Sequence, residues 1–269
     1  MYVIGERING MFKDMRNAIK ERDKSVVQGL ANQQVEAGAT ALDINVGPAS
    51  DKPLDAMLWL VEAAREVTNV PLCIDNPKWE IMSEVIPKVP GKAVINSCKA
   101  DEEELDKYMA LAGENGAGII ALTIDQDGVP SNAEKRVELG AQIVMKAVEK
   151  GVDMDDLFVD PVILPVNVAP AQPGNCVEAL KQISMLCDPM PHLVLGLSNV
   201  SQGCKNRSLI NRSYLVMAMC AGLDAAILNP MDTDLMNAAI TTELLQAKAI
   251  YCDSFLEAYR MKSRSMAGA

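Results

Sequence analysis

The sequence predicts an α/β protein of the TIM barrel class, a single (β/α)8 domain. Short apolar runs rich in β-branched residues recur eight times, and stretches of helical periodicity separate them. These runs are apolar throughout rather than alternating, which indicates parallel strands covered on both faces. Eight strand–helix units in roughly 250 residues fit a closed barrel.

Each predicted strand is a compact aliphatic run that ends at a polar or turn-forming residue. The strands are predicted, in chain order, at residues 2–5, 41–46, 70–74, 93–95, 118–122, 157–159, 193–197 and 225–228. The first run leads into Glu6 without the glycine-rich phosphate loop that a doubly wound open sheet usually carries after its first strand. This difference favours the barrel over the open sheet.

Between the strands, apolar residues recur at helical spacing, which predicts amphipathic helices. The helices are predicted at residues 25–37, 54–67, 101–115, 132–150, 176–186, 208–221 and 232–259. The chain has no low-complexity linker and no charge block that would mark a domain boundary. We therefore expect one barrel domain over residues 1–262, followed by a short tail at residues 263–269.

Composition excludes several classes of function. The net charge of −11 argues against a nucleic-acid surface, and no apolar run is long enough to cross a membrane. The N-terminus has no signal peptide, so we expect a cytoplasmic protein. The seven cysteines are scattered without a Cys-x-x-Cys pair, which predicts a reduced protein without structural zinc.

Histidine chemistry is almost absent from the chain. His192 is the single histidine, which excludes histidine-based metal clusters and a Ser-His-Asp triad. It precedes the seventh predicted strand, so barrel geometry places it at the N-terminal face, where polar residues usually serve stability. We expect a structural role for His192.

Polar side chains follow nearly every predicted strand, at the end where TIM barrels place their active sites. Turns also favour Asp and Asn after strands, which is the simpler explanation for any one of these residues. It is less convincing for the whole set, because several members directly continue buried runs. The set is Glu6, Asn9, Asp43, Asn45, Asp75, Asn76, Asn96, Ser97, Thr123, Asp125, Asp160, Ser198, Asn199 and Asn229.

Two kinds of ligand suit such a ring. Clustered carboxylates could hold Mg²⁺ or Ca²⁺, but the interleaved asparagines dilute the charge. Carboxylates and amides without histidine also suit a planar heterocycle rich in hydrogen-bonding groups, which we prefer, and we expect no metal. The loop after the seventh strand carries Gln202, Lys205 and Arg207. The charges of Lys205 and Arg207 either face solvent or contact an anionic tail or a partner.

Six motifs, in order along the chain, carry a resemblance to a known family. They are IGERING at residues 4–10, LDINVGP at 42–48, INS at 95–97, VDP with ILP at 159–165, LGLSNVSQ at 195–202 and YCDSF at 251–255. On these motifs the chain resembles the pterin-binding methyltransferases, in particular the methyltetrahydrofolate:corrinoid/iron-sulfur protein methyltransferase family. The resemblance spans essentially the whole chain.

The resemblance implies a TIM barrel, usually a homodimer, that binds tetrahydrofolate or methyltetrahydrofolate and carries no cobalamin of its own. The cobalamin belongs to a separate corrinoid protein, such as a corrinoid/iron-sulfur protein in anaerobic one-carbon metabolism. The residues matching Asp75, Asn96 and Asp160 surround the pterin, and the one matching Asn199 hydrogen-bonds N5. Gln202 and Arg207 match loop positions near the folate. With these we group Asp43, Asn45, Glu6 and Asn9 as candidate binding residues.

We expect Asn199 to be catalytic. Breaking the bond between N5 and its methyl group leaves negative charge on N5, and a donated hydrogen bond would stabilise that charge. Dihydropteroate synthase has a similar fold and pterin pocket, but the chain lacks its Asp-Ser-Phe loop and its late Arg-x-His segment. A pterin-condensing transferase and a folate-binding module without catalysis are the alternatives. The direction of methyl transfer stays open.

Overall fold

A computed structural model describes residues 1–259, and these residues form the predicted barrel. Eight parallel strands pair in the order β7-β6-β5-β4-β3-β2-β1-β8. They are β1 (Tyr2–Asn9), β2 (Ala41–Asn45), β3 (Leu72–Asp75), β4 (Ala93–Lys99), β5 (Gly118–Leu122), β6 (Leu157–Asp160), β7 (His192–Leu193) and β8 (Ala225–Leu228). The predicted tail at 263–269 and the last residues of the predicted domain lie outside the described residues.

A ring of helices covers the outer face of the strands. The helices are α1 (Lys13–Glu21), α2 (Lys24–Glu36), α3 (Pro53–Arg65), α4 (Trp79–Val85), α5 (Glu102–Asn115), α6 (Ala133–Glu149), α7 (Gln172–Ile183), α8 (Arg207–Cys220) and α9 (Thr233–Leu245). Asp101, Asn132 and Asp232 accept backbone N–H bonds at the starts of α5, α6 and α9. Each cap lies where the sequence predicts the helix to begin, because these side chains satisfy the free N–H groups of a first turn.

The barrel closes where β7 meets β8, but only loosely. Gly196 and Ile227 form a single bridge there, and the Ile227 N–H donates to the Leu195 carbonyl at 2.9 Å. The sequence predicts a strand over 193–197, whereas β7 ends at Leu193 and residues Leu197–Ser201 form a 3-10 turn. That prediction was wrong in extent because an apolar run reports burial, and this segment is buried without regular ladder pairing.

Other boundaries also differ from the prediction. Helices α1 and α4 were not predicted, and α9, within the predicted helix over 232–259, ends at Leu245. Ala247, two residues beyond that end, adopts a left-handed backbone with φ of 59°. A residue in this conformation cannot continue a right-handed helix. Among residues 1–259, no helix has the length and apolar character to cross a bilayer.

The inside of the barrel is filled by one apolar side chain from each of seven strands and by Val194, which directly follows β7. This inner plug consists of Ile4, Ala41, Cys73, Val94, Ile120, Phe158, Val194 and Ala225. Strand residues two positions apart point to the same face. The residues two positions further along the chain therefore also face the inside of the barrel. They form the next layer along the barrel axis, nearer its C-terminal end.

Candidate active site

The layer above the inner plug is the floor of a cavity of about 570 Å³ at the C-terminal end of the barrel. Its eight residues are Glu6, Asp43, Asp75, Asn96, Leu122, Asp160, Gly196 and Ile227, and all eight line the cavity. Four neighbouring strands, β1 to β4, and β6 contribute the polar members. The period of two residues thus places a polar floor directly on an apolar core.

The floor carboxylates are buried close together. Asp43 is 3% exposed and Asp160 is 7% exposed. Burial raises the pKa of Asp160 to about 7 and the pKa of Asp75 to about 6, because a desolvated carboxylate resists ionisation. Burial, reinforced by the charge of Asp75, raises the pKa of Asp43 well above its usual range. Asp43, Asp75 and Asp160 therefore carry fewer than three negative charges between them near neutral pH.

Two asparagines orient these carboxylates. The Asn96 amide donates to Oδ1 of Asp43 at 2.9 Å, and Asn96 also faces the cavity. The Asn45 amide donates to Oδ2 of Asp75, while its own Oδ1 accepts from the Gly47 N–H at 2.6 Å. Both polar atoms of the Asn45 side chain are therefore hydrogen-bonded within the protein, and Asn45 is not among the cavity-lining residues. It supports Asp75 from outside the cavity.

Asn199 lies on the 3-10 turn at the cavity rim rather than at a strand tip. Its side chain is exposed and lines the cavity. A Cβ atom placed on Gly196 would come within 3.0 Å of the Asn199 Nδ2. The bare backbone at Gly196 therefore leaves the room that the Asn199 amide occupies.

The turn that carries Asn199 is held from two sides. The Ser198 hydroxyl lies 2.9 Å from both carboxylate oxygens of Glu6. Arg207 donates from Nη2 to the Ser198 carbonyl and from Nε to the Ser201 hydroxyl, both at 3.1 Å. Burial raises the pKa of Glu6, and the Ser198 bond and the Arg207 charge partly offset this. Glu6 and Arg207 both reach the cavity wall.

Some of the remaining predicted residues line the cavity, and the others lie elsewhere, either exposed or, like Thr123 and Asn76, buried. Asn9, Ser97 and Asn229 line the cavity, whereas Gln202 is exposed and lies outside the lining set, as do Asn76, Thr123, Asp125 and Lys205. His192 lies at the start of β7, where its Nδ1 is 2.7 Å from Oδ2 of Asp224, so it is remote from the cavity. This position agrees with the expected structural role.

Sequence reasoning missed one wall of the cavity. Ser208 and Asn211 lie in the first two turns of α8, and Asp232 and Leu235 lie at the start of α9; Met11 and Phe12 follow β1. In a barrel, the helix that follows each strand starts near that strand's C-terminal tip. The signal in the sequence was therefore the pairs of residues three positions apart at the starts of α8 and α9, because such a pair lies on one face of a helix.

Cation sites are a separate matter. Within residues 1–259, no group of three or more His, Cys, Asp and Glu side chains is arranged to hold a metal ion. Every cysteine is free, and Cys73, Cys98 and Cys176 are buried. The absence of an intrinsic metal stays a prediction.

Comparison with known proteins identifies the class of this barrel. The profile of the pterin-binding enzymes matches residues 10–229, and the chain belongs to this family. It is 29% identical over 265 residues to the methylcorrinoid:tetrahydrofolate methyltransferase of Eubacterium limosum, covering 97% of this chain and 96% of the relative. The resemblance predicted from the six motifs is thereby confirmed at the level of the family.

Two further proteins are similar to this chain, one over only a part of its own length and the other in fold. Methionine synthase of Mycobacterium tuberculosis is 28% identical over 240 residues, which cover 84% of this chain but only 20% of that protein. Dihydropteroate synthase of Yersinia pestis superposes with a TM-score of 0.66 at 17% identity, covering 91% of this chain and 94% of that one. The second similarity concerns the fold alone.

Proposed function

We propose that the protein is a methyltransferase that moves a methyl group between N5 of tetrahydrofolate and the cobalt of a corrinoid carried by a separate protein. The observation that carries this proposal is a floor of hydrogen-bond acceptors with the Asn199 amide on the rim above it. The similarity to the Eubacterium limosum methyltransferase along almost its full length supports the same activity.

The floor suits the edge of a pterin. The amino group and ring N–H groups of a pterin are donors, and the carboxylates of Asp75 and Asp160 are acceptors when ionised. Asn96 can both donate and accept, which matches the adjacent carbonyl and ring nitrogens. A flat heterocycle bound here would present its other edge to the rim.

Asn199 would act at that other edge. When methyl leaves N5, the N–C bond breaks, its electron pair stays on nitrogen, and N5 takes a proton from solvent. A hydrogen bond from the Asn199 amide to N5 strengthens as this charge develops, and one such donor contributes about 3 kcal/mol. The corrinoid of the partner supplies the nucleophile or the methyl donor. In this scheme Glu6 and Arg207 hold the Asn199 turn and border the folate, while Gln202 contacts the folate from outside the cavity.

The charge of the cavity disfavours a pterin condensation that expels diphosphate. Such a leaving group carries several negative charges and needs cations around it. Among the cavity-lining residues of the described chain, Arg207 is the single cation, and it already bonds to the Asn199 turn. A methyl group needs no such partner, which favours methyl transfer.

The test is an anaerobic assay of the purified protein with methyltetrahydrofolate and free cob(I)alamin as a stand-in for the partner's corrinoid. We expect the cobalt absorbance to change at a rate proportional to enzyme, and the reverse reaction with methylcobalamin and tetrahydrofolate to be measurable. Asn199→Ala should lower the rate at least tenfold with little change in folate affinity. Wild-type turnover by this variant would refute the role of Asn199.

Synthase and binding-module activities predict other results. A pterin-condensing transferase would leave the cobalt spectrum unchanged and would release diphosphate from a pterin diphosphate with p-aminobenzoate. A folate-binding module would bind methyltetrahydrofolate without turnover in either direction. A homodimer and an anaerobic setting are part of the proposal and rest on the resemblance. A cytoplasmic location is also part of it and rests on the sequence features given above.

A further inference from the structure

Arg136 is an unusual residue in the outer ring of helices. It lies in α6, its exposure is 0%, and within residues 1–259 its hydrogen bonds go to carbonyl groups rather than to a carboxylate. A buried guanidinium without partners is strongly destabilising, so its N–H groups must be satisfied elsewhere. This makes its acceptors informative.

Two of the four acceptors of Arg136 belong to one short segment. Its Nε donates to the Pro161 carbonyl at 2.6 Å and its Nη2 to the Val162 carbonyl at 3.3 Å. The same Nη2 donates to Oε1 of Gln172, and Nη1 donates to the Asn132 carbonyl at 3.0 Å. The guanidinium therefore clamps the two residues that follow β6.

That segment in turn holds a floor carboxylate. The Val162 N–H donates to Oδ1 of Asp160 at 2.7 Å. Val162 has a φ of 60°, a conformation that a β-branched residue adopts only when its surroundings enforce it. The fork of Arg136 on two successive carbonyls is such an enforcing contact, because it fixes both peptide planes around Val162.

We propose that Arg136 is a positioning residue for the pterin site, which acts through the Pro161–Val162 backbone to hold the Asp160 carboxylate toward the cavity. This inference rests on the proposed pterin pocket and adds a residue that does not reach the cavity. The charge of Arg136 also opposes the rise in the pKa of Asp160 that burial causes. The Val162 hydrogen bond and the Arg136 charge thus both favour the ionised form of Asp160, which can accept hydrogen bonds.

The experiment is a double-mutant cycle on the affinity for 5-methyltetrahydrofolate, measured by calorimetry with the full chain. Arg136→Gln should weaken binding at least tenfold in the wild-type background. In the Asp160→Asn background, which is itself weakened, the same substitution should cost less than about threefold, because its effect passes through the removed carboxylate. Arg136→Lys should recover part of the affinity.

Arg65 provides a matched control. It is partly buried and also donates to two backbone carbonyls, those of Thr68 and Val70, ahead of β3 at the opposite end of the barrel. Arg65→Gln should lower the thermal stability and leave folate affinity within twofold of wild type. If Arg136→Gln does not fold, Arg136→Lys completes the same cycle.

The outcomes separate this inference from the proposed function. A wild-type protein that does not bind 5-methyltetrahydrofolate refutes both. If wild type binds and Asp160→Asn weakens binding, equal effects of the Arg136 substitution in the two backgrounds refute the positioning role alone. A loss of stability with unchanged affinity would also refute it and leave Arg136 a structural residue.

Discussion

Replacing Asp160 by asparagine should change how the stability of the protein depends on pH. Burial raises the pKa of this carboxyl from 3.8 to about 7. Folding therefore favours the protonated form, and the native state loses stability as pH rises from the unfolded-state pKa through the native one. At pH values above both, the ionised carboxylate costs about 4 kcal/mol relative to a group with an unchanged pKa.

Most of that loss falls within an accessible pH range. The same two pKa values give a fall of roughly 3 kcal/mol between pH 5 and pH 8. The amide of the Asp160→Asn variant would not titrate, yet its oxygen could still accept from the Val162 N–H, which in the wild type donates to Oδ1 at 2.7 Å. Compared with wild type, Asp160→Asn should therefore gain about 3 kcal/mol in relative unfolding free energy from pH 5 to pH 8.

The assay is urea denaturation of both proteins at several pH values, and the measured quantity is the difference between their free energies of unfolding. This difference cancels the titration of the groups that the two proteins share. Asp127→Asn, at an exposed loop position, is the control and should follow wild type. Parallel pH profiles for wild type and Asp160→Asn would refute the account of a carboxylate destabilised by burial.

Three further substitutions test other parts of the structure. Gly196→Ala adds a Cβ that comes within 3.0 Å of the Asn199 amide, so the methyl-transfer rate should fall about tenfold while the melting temperature changes little. Gly10→Ala would place its Cβ 2.0 Å from the Val46 carbonyl oxygen, and chemical denaturation should register a loss of roughly 3 kcal/mol. The aspartate beside His192 raises the pKa of its ring, so the stability from this pair is full below pH 6.5 and disappears as pH rises through the native pKa. His192→Gln should therefore cost about 1 kcal/mol more at pH 5.5 than at pH 9, where the loss of the ring stacked on Phe158 is what remains, and an equal cost at both pH values would contradict the ion pair.

The sequence predicts the barrel well because two local patterns alternate along the chain: short apolar runs typical of buried strands, and apolar residues at helical spacing. Strand cores such as 118–122 and 225–228 coincide with β5 and β8, and the caps at Asp101 and Asn132 lie where the helices begin. The floor was predictable for the same reason, since Asp43 and Asp160 continue buried runs. These features depend only on the order of nearby residues.

Features that depend on contacts between distant segments were not predictable. The short β7 and the 3-10 turn depend on Glu6, 192 positions from Ser198 in the chain, and on Arg207. Arg136 gave no signal either, because a charged residue in an amphipathic helix is normally solvated. The two carbonyls that it holds after β6 lie 25 and 26 residues away in the chain. The position of Asn45 predicted a binding residue, but nothing in the sequence indicated that its amide donates to Asp75.

The apolar plug beneath the floor has a kinetic consequence. Because the apolar plug fills the barrel interior, the cavity has a closed bottom, and a bound molecule can enter and leave only through the mouth. Any macromolecule that delivers or collects a methyl group must cover that same opening. Binding would then follow a compulsory order, in which the small molecule enters the cavity before the larger partner binds. The small molecule could neither enter nor leave the cavity until the partner dissociates. An excess of partner protein should therefore slow turnover by trapping the product in place.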